Sequence, residues 1–156
     1  GAAVAFLRPP DRSDGVLDAY LARSASWASV TPVVLPGYDD PRHFWRRLQQ
    51  GVDASEQKRL LDQLDRRTDV LLRRAIGQAG YADELVNNAE IAWRRSGFWP
   101  GMDLADRYGA PDHLRRFPRL HVRIVWRDAH GEPVMIPGPV CIGAGRFMGL
   151  GLFAAE

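Results

Sequence analysis

The side chains here that exchange protons near neutral pH are four histidines, His43, His113, His121 and His130, and their neighbours decide what each could do. His43 follows Asp40-Pro41, a cap and first position for a short helix predicted over 41–50 and closed by Gly51. In a first turn the helix dipole disfavours imidazolium, which keeps a neutral imidazole available as a general base. Arg42, Arg46 and Arg47 adjoin it, and Tyr38, in the turn Gly37-Tyr38-Asp39, offers a proton donor. The same position also suits a helix-capping or solvent-exposed histidine. His121 falls in the most regular alternation of the chain, Arg119 to Arg127, where Leu120, Val122, Ile124 and Trp126 point one way. The other face carries Arg119, His121, Arg123, Val125 and Arg127, a base among groups that grip phosphate, or equally a solvated strand face. His113 and His130 sit in loops near Pro111 and beside Gly131 and are assigned no role. No two histidines have the close helical spacing of a metal pair, so no metal or other cofactor is expected.

Composition narrows the setting. The chain has 156 residues, 46% hydrophobic and 26% charged, with no apolar run near the roughly 20 residues a membrane helix needs. It is read as one domain over 1–156, with 1–26 as linker or helix. The opening Gly1-Ala2-Ala3 has neither the basic start nor the Met of a secretory signal, so a cytoplasmic location and a start part-way along a longer protein are expected. Cys141, the only cysteine, lies between Val140 and Ile142 as a small buried hydrophobe. Lys58 is the only lysine among the 21 basic residues, and the net charge is just +2. Arginine is the cation that forks onto phosphate and stacks on bases, but a GC-rich genome enriches it too.

The elements that would position these groups follow from periodicity and turn chemistry. Val16, Leu17, Tyr20 and Leu21 suggest a short helix within 11–26. Trp27 to Pro36 reads as a strand with an edge position or bulge around Pro32. A long helix is predicted over 54–79, capped by Asp53 with Glu56 three residues on, and carrying the stripe Leu60, Leu61, Leu64, Thr68, Leu71, Leu72, Ala75 and Ala79. A strand from Leu85 to Trp93, a loop over 94–118 and the strand at Arg119 complete an α+β fold, an antiparallel sheet with helices on one face. The other face is expected to stay open to a ligand. Trp93, Phe98 and Trp99 suit base stacking or core packing.

The C-terminal stretch Gly138 to Phe153 contains Gly143-Ala144-Gly145-Arg146-Phe147-Met148-Gly149-Leu150-Gly151-Leu152-Phe153. Glycines let a backbone approach phosphate and expose its N–H groups, and Arg146 adds a charge-assisted contact; the plain alternative is a hairpin packed tightly on the sheet. A dinucleotide site needs a helix after such glycines, and here the chain ends five residues after Gly151. The pattern resembles the terminal glycine-rich loop of the CRISPR-associated RAMP superfamily. With Trp27 to Pro36 and the strand at Arg119, the chain is similar to the C-terminal, repeat-cleaving half of the fused Cascade subunit of type I-U (I-G) systems.

That resemblance implies a ferredoxin-like or RNA-recognition-like fold that cuts precursor CRISPR RNA within the repeat, without metal, and remains with other Cascade subunits. It puts the histidine near the start of the helix after the first strand, the place of His43, with His121 and Tyr38 as possible catalytic partners. Arg42, Arg46, Arg47, Arg119, Arg123, Arg127, Gly143, Gly145, Arg146, Gly149 and Gly151 would bind RNA. Phe147 departs from the pattern, since relatives carry a polar residue after the loop arginine. A non-catalytic subunit holding the RNA end is the alternative, and an unrelated interaction domain gains if the 119–127 arginines are paired with carboxylates.

Overall fold

The computed structural model of the chain describes residues 15–37, 42–51 and 53–156, with the backbone alone for 42–45. In chain order the elements are α1 (Gly15–Leu21), β1 (Arg23–Ser24), β2 (Ser26–Ser29), β3 (Val33–Val34), α2 (Arg42–Gln49), α3 (Ala54–Gln78), α4 (Asp83–Asn88), β4 (Glu90–Arg94), β5 (Arg119–Val125), β6 (Ile136–Pro137) and β7 (Phe153–Ala155). The expected α+β class is found. β5 is the hub of an antiparallel sheet: it pairs with β4 through Glu90↔Val125 to Arg94↔His121, and with both β2 and β3. β7 extends the sheet beyond β2, and β1 pairs separately with β6.

The segment expected as one strand with a bulge at Pro32 is two strands, broken where proline lacks a donor. The broken edge is repaired from the C-terminus: Val30 and Thr31 donate to the Leu152 carbonyl, and the Pro32 carbonyl accepts from Gly151. α3 matches its predicted span and cap, with Asp53 Oδ1 accepting from the Glu56 amide at 2.8 Å. Of its buried residues, Leu72, Ala75 and Ile76 face the sheet core of Trp27, Val33, Val122, Ile124, Trp126 and Phe153. Each large side chain buried there contributes about 1.5–3 kcal/mol.

The strand expected from Leu85 to Trp93 needs correction. Asp83–Asn88 is a helical turn and a half, and the strand begins at Glu90. A short apolar run fits either periodicity. The choice is made by Arg73, which pairs with Asp69 and donates to the carbonyls of Val86, Asn87 and Ala89 where α4 ends. One guanidinium thereby satisfies carbonyls that a helix end leaves open.

A second correction concerns the sheet's other face. It is covered around β2 and the middle of β5, because residues 97–110 fold back there and leave Ala28 and His121 without exposed surface, while Ala92 and Arg94 of β4 stay exposed. The Arg95 carbonyl accepts from the Ala105 amide and closes the base of this loop, and the Trp99 indole donates to the Ala28 carbonyl at 3.3 Å.

Arg73→Ala should cost about 2–3 kcal/mol in chemical denaturation, since it strips charge-assisted bonds from half-buried carbonyls. Asp69→Ala, which removes only the partly exposed ion pair, should cost under about 1 kcal/mol.

Candidate functional site

Three places carry the residues singled out by sequence: the start of α2, the covered face of β5, and the C-terminal glycine loop. The structure does not bring them all into one constellation.

His43 stands second in α2, the helix that follows β3. Arg46 and Arg47 follow it on exposed positions, and Arg47 pairs with Glu56 of α3 at 2.7 Å. Only the backbone of Arg42 and His43 is described, and Tyr38 lies outside the described residues.

His121 is buried, not solvated. Its Nε2 lies 3.1 Å from the Asp103 carbonyl, an acceptor, so the proton sits on Nε2. Nδ1 then accepts from the Ser29 hydroxyl at 3.4 Å, and that hydroxyl accepts from the Val122 amide at 2.9 Å. Tyr108 packs edge-on against the imidazole with centroids 5.6 Å apart. Burial pushes the His121 pKa below 6.5, and Arg94 adds to the effect. Both ring nitrogens are occupied by the fold, which makes this histidine a pin between sheet and loop.

The neighbouring arginines are tethered as well. Arg119 donates to the Tyr108 carbonyl at 2.8 Å, Arg123 pairs with Glu156 at 2.5 Å, and Arg127 forks onto Glu90 at 2.6 and 3.3 Å. Phe98 lies between Arg94 and Arg123, with their guanidinium carbons 4.2 and 4.9 Å from its centroid. Two of the three arginines expected to face phosphate are thus already neutralised by carboxylates.

In the glycine loop the close approaches are internal. A Cβ on Gly143 would lie 2.8 Å from the Val34 carbonyl oxygen, one on Gly145 2.9 Å from Leu150, and one on Gly151 1.8 Å from the Ile142 carbonyl oxygen. Gly149, at φ +77°, faces open space. Arg146 donates to the Gly143 carbonyl at 3.2 Å and to Gln78, the last residue of α3, at 3.3 Å. Its guanidinium also stacks on Phe147, which is 84% exposed. Sequence reasoning missed Ser29, Asp103 and Tyr108. A lone serine in an apolar strand signals a buried hydrogen bond, whereas Asp103 acts through its backbone, for which its side chain gives no sign.

The His121 pKa is depressed on folding, so the unfolded chain takes up its proton first, near pH 6.5. Stability is therefore fully present above that value and falls as pH drops below it. Thermal unfolding from pH 7.5 to 5 should follow this slope, and His121→Asn should flatten it while lowering stability throughout. Gly151→Ala should cost about 3 kcal/mol or more by denaturant titration. Gly149→Ala, strained only by its left-handed backbone, should cost about 1–2 kcal/mol.

The family model described as CRISPR-associated protein, GSU0054 family, matches residues 2–155. Neither the curated proteins nor the solved structures include a significant match. A match across nearly the whole chain, on an antiparallel α+β fold closed by a glycine loop, places this protein in the GSU0054 family of CRISPR-associated proteins.

Proposed function

We propose that this chain binds CRISPR repeat RNA and cuts precursor CRISPR RNA within the repeat without a metal ion, then stays with the product among other Cascade subunits. The observation that carries the reading is His43 in the first turn of α2, directly after the sheet strand β3 and ahead of Arg46 and Arg47. The family's role in CRISPR systems supports repeat RNA as the substrate.

In this reading His43 removes the proton of a 2′-hydroxyl, and the freed oxygen attacks the adjacent phosphorus. The bond from phosphorus to the 5′-oxygen breaks, leaving a 2′,3′-cyclic phosphate and a 5′-hydroxyl. Arginines of α2 steady the charge on the phosphorane, and Tyr38 is assigned the proton for the leaving oxygen. In this reading His121 leaves the catalytic set, because Nε2 bonds the loop at Asp103 and Nδ1 bonds Ser29 of β2. Arg123, Arg127 and the loop glycines support the RNA surface by fixing its shape, and Arg46 and Arg119 contact phosphate.

A specific observation favours a second reading, a subunit that holds the RNA end without cutting it: His121, expected as a catalytic partner of His43, is buried, and the arginines Arg123 and Arg127 near it are paired with carboxylates. Labelled cognate repeat RNA incubated with the chain in EDTA decides between them. Discrete products, reduced about 100-fold or more by His43→Ala, are expected of the nuclease. Salt-sensitive binding with intact RNA would establish the holder instead. Absence of binding at low salt would remove RNA from the assignment.

A further inference from the structure

α3 carries more apolar surface than the core uses. Leu72, Ala75 and Ile76 are buried against the sheet, but Leu61, Leu64, Thr68 and Leu71 turn toward a cleft of about 460 Å³ between α3 and the sheet end formed by β4 and β5. The opposite wall is Trp93 of β4, Leu120 of β5 and Leu35. Leu61 remains 39% exposed at its lip. The volume falls within the range of small-ligand sites, about 300–1,000 Å³.

The rim has a single dominant sign. Arg67, Arg94, Arg95 and Arg119 surround the apolar floor, against Asp65 alone among the lining residues. Arg94 is fixed by the Gly97 carbonyl and Arg119 by the Tyr108 carbonyl, while Arg95 is paired with the Asp106 carboxylate. A guanidinium has five N–H donors, so each tether leaves others to spare while holding the cation in place. An apolar peptide would leave this rim unanswered. A flat aromatic body carrying negative charge answers both parts, because the base can lie on Trp93 and the leucines while phosphate meets the arginines.

We infer that this cleft receives one unstacked nucleotide of the bound RNA, its base between α3 and Trp93 and its flanking phosphates on Arg94 and Arg119. The inference rests on the RNA reading above and adds a subsite distant in sequence from the glycine loop.

Repeat RNA substituted with 4-thiouridine, bound to the chain, irradiated and digested for mass spectrometry, tests it directly. Adducts are expected on the peptides that contain Trp93 or Leu120. Thr68→Trp fills the cleft from its helical wall, where the threonine hydroxyl only donates back to the Leu64 carbonyl. This variant should lose those adducts and weaken RNA binding about tenfold, with its circular dichroism unchanged. RNA bound by the wild-type chain with adducts confined elsewhere, or a folded Thr68→Trp that binds as tightly as wild type, would overturn the subsite and leave the RNA function standing. If Thr68→Trp fails to fold, the adduct map of the wild-type chain decides alone. Failure of the wild-type chain to bind repeat RNA at low salt would end both readings together.

Discussion

β5 is paired along its edges and buried at His121, Val122 and Ile124, and much of this structure is a response to that burial. The polar groups at its buried positions need partners inside the protein. Val122 finds the Ser29 hydroxyl, Ser29 finds His121, and His121 finds the Asp103 carbonyl. The relay begins in the sheet and ends in the covering loop, so its two layers are joined by hydrogen bonds as well as by apolar contact. Removing any member leaves a buried donor or acceptor without a partner, which costs about 1–3 kcal/mol.

Arginine does several different things in this chain, and the differences come from what each guanidinium reaches. Arg73 closes the end of α4, Arg119 holds Tyr108, and Arg146 joins the glycine loop to α3. Arg123 and Arg127 fasten the ends of β7 and β4 to β5 and its continuation. Arginine is suited to such work because its planar fork meets carbonyls and carboxylates at several angles while remaining charged. A cation count therefore overstates the surface available to phosphate, and the geometry of tethering separates the two uses.

The parts of the fold legible in the sequence were those governed by local chemistry. Asp53 and Gly80 bracket α3 because a cap and a stop act within a few residues, and the alternation from Leu120 to Trp126 marks a strand because side chains alternate every residue. Asp83 to Asn88 was misread because an apolar run of that length has no distinctive period, and its helical form depends on Arg73, more than ten residues away. For the site, alternation correctly separated the side of His121 from that of Val122. It could not show that residues 97–110 return to cover the first of these, since that cover rests on a backbone carbonyl and an aromatic edge. The glycines were legible as a motif, but the direction of their close approach, inward to Val34 and Ile142, belongs to tertiary packing.

The bond from Arg146 to the Gln78 carbonyl spans 68 residues of chain, and the bond from the Leu152 amide to Thr31 spans 121. Contacts that close such long stretches of chain form slowly, because closure entropy must be met before they stabilise anything. α3 can organise from within, whereas the glycine loop has no seat until α3 has docked and β3 has found β5. The shape of the C-terminal segment therefore depends on α3 and on the β3–β5 pairing, and it reports on whether both have been assembled.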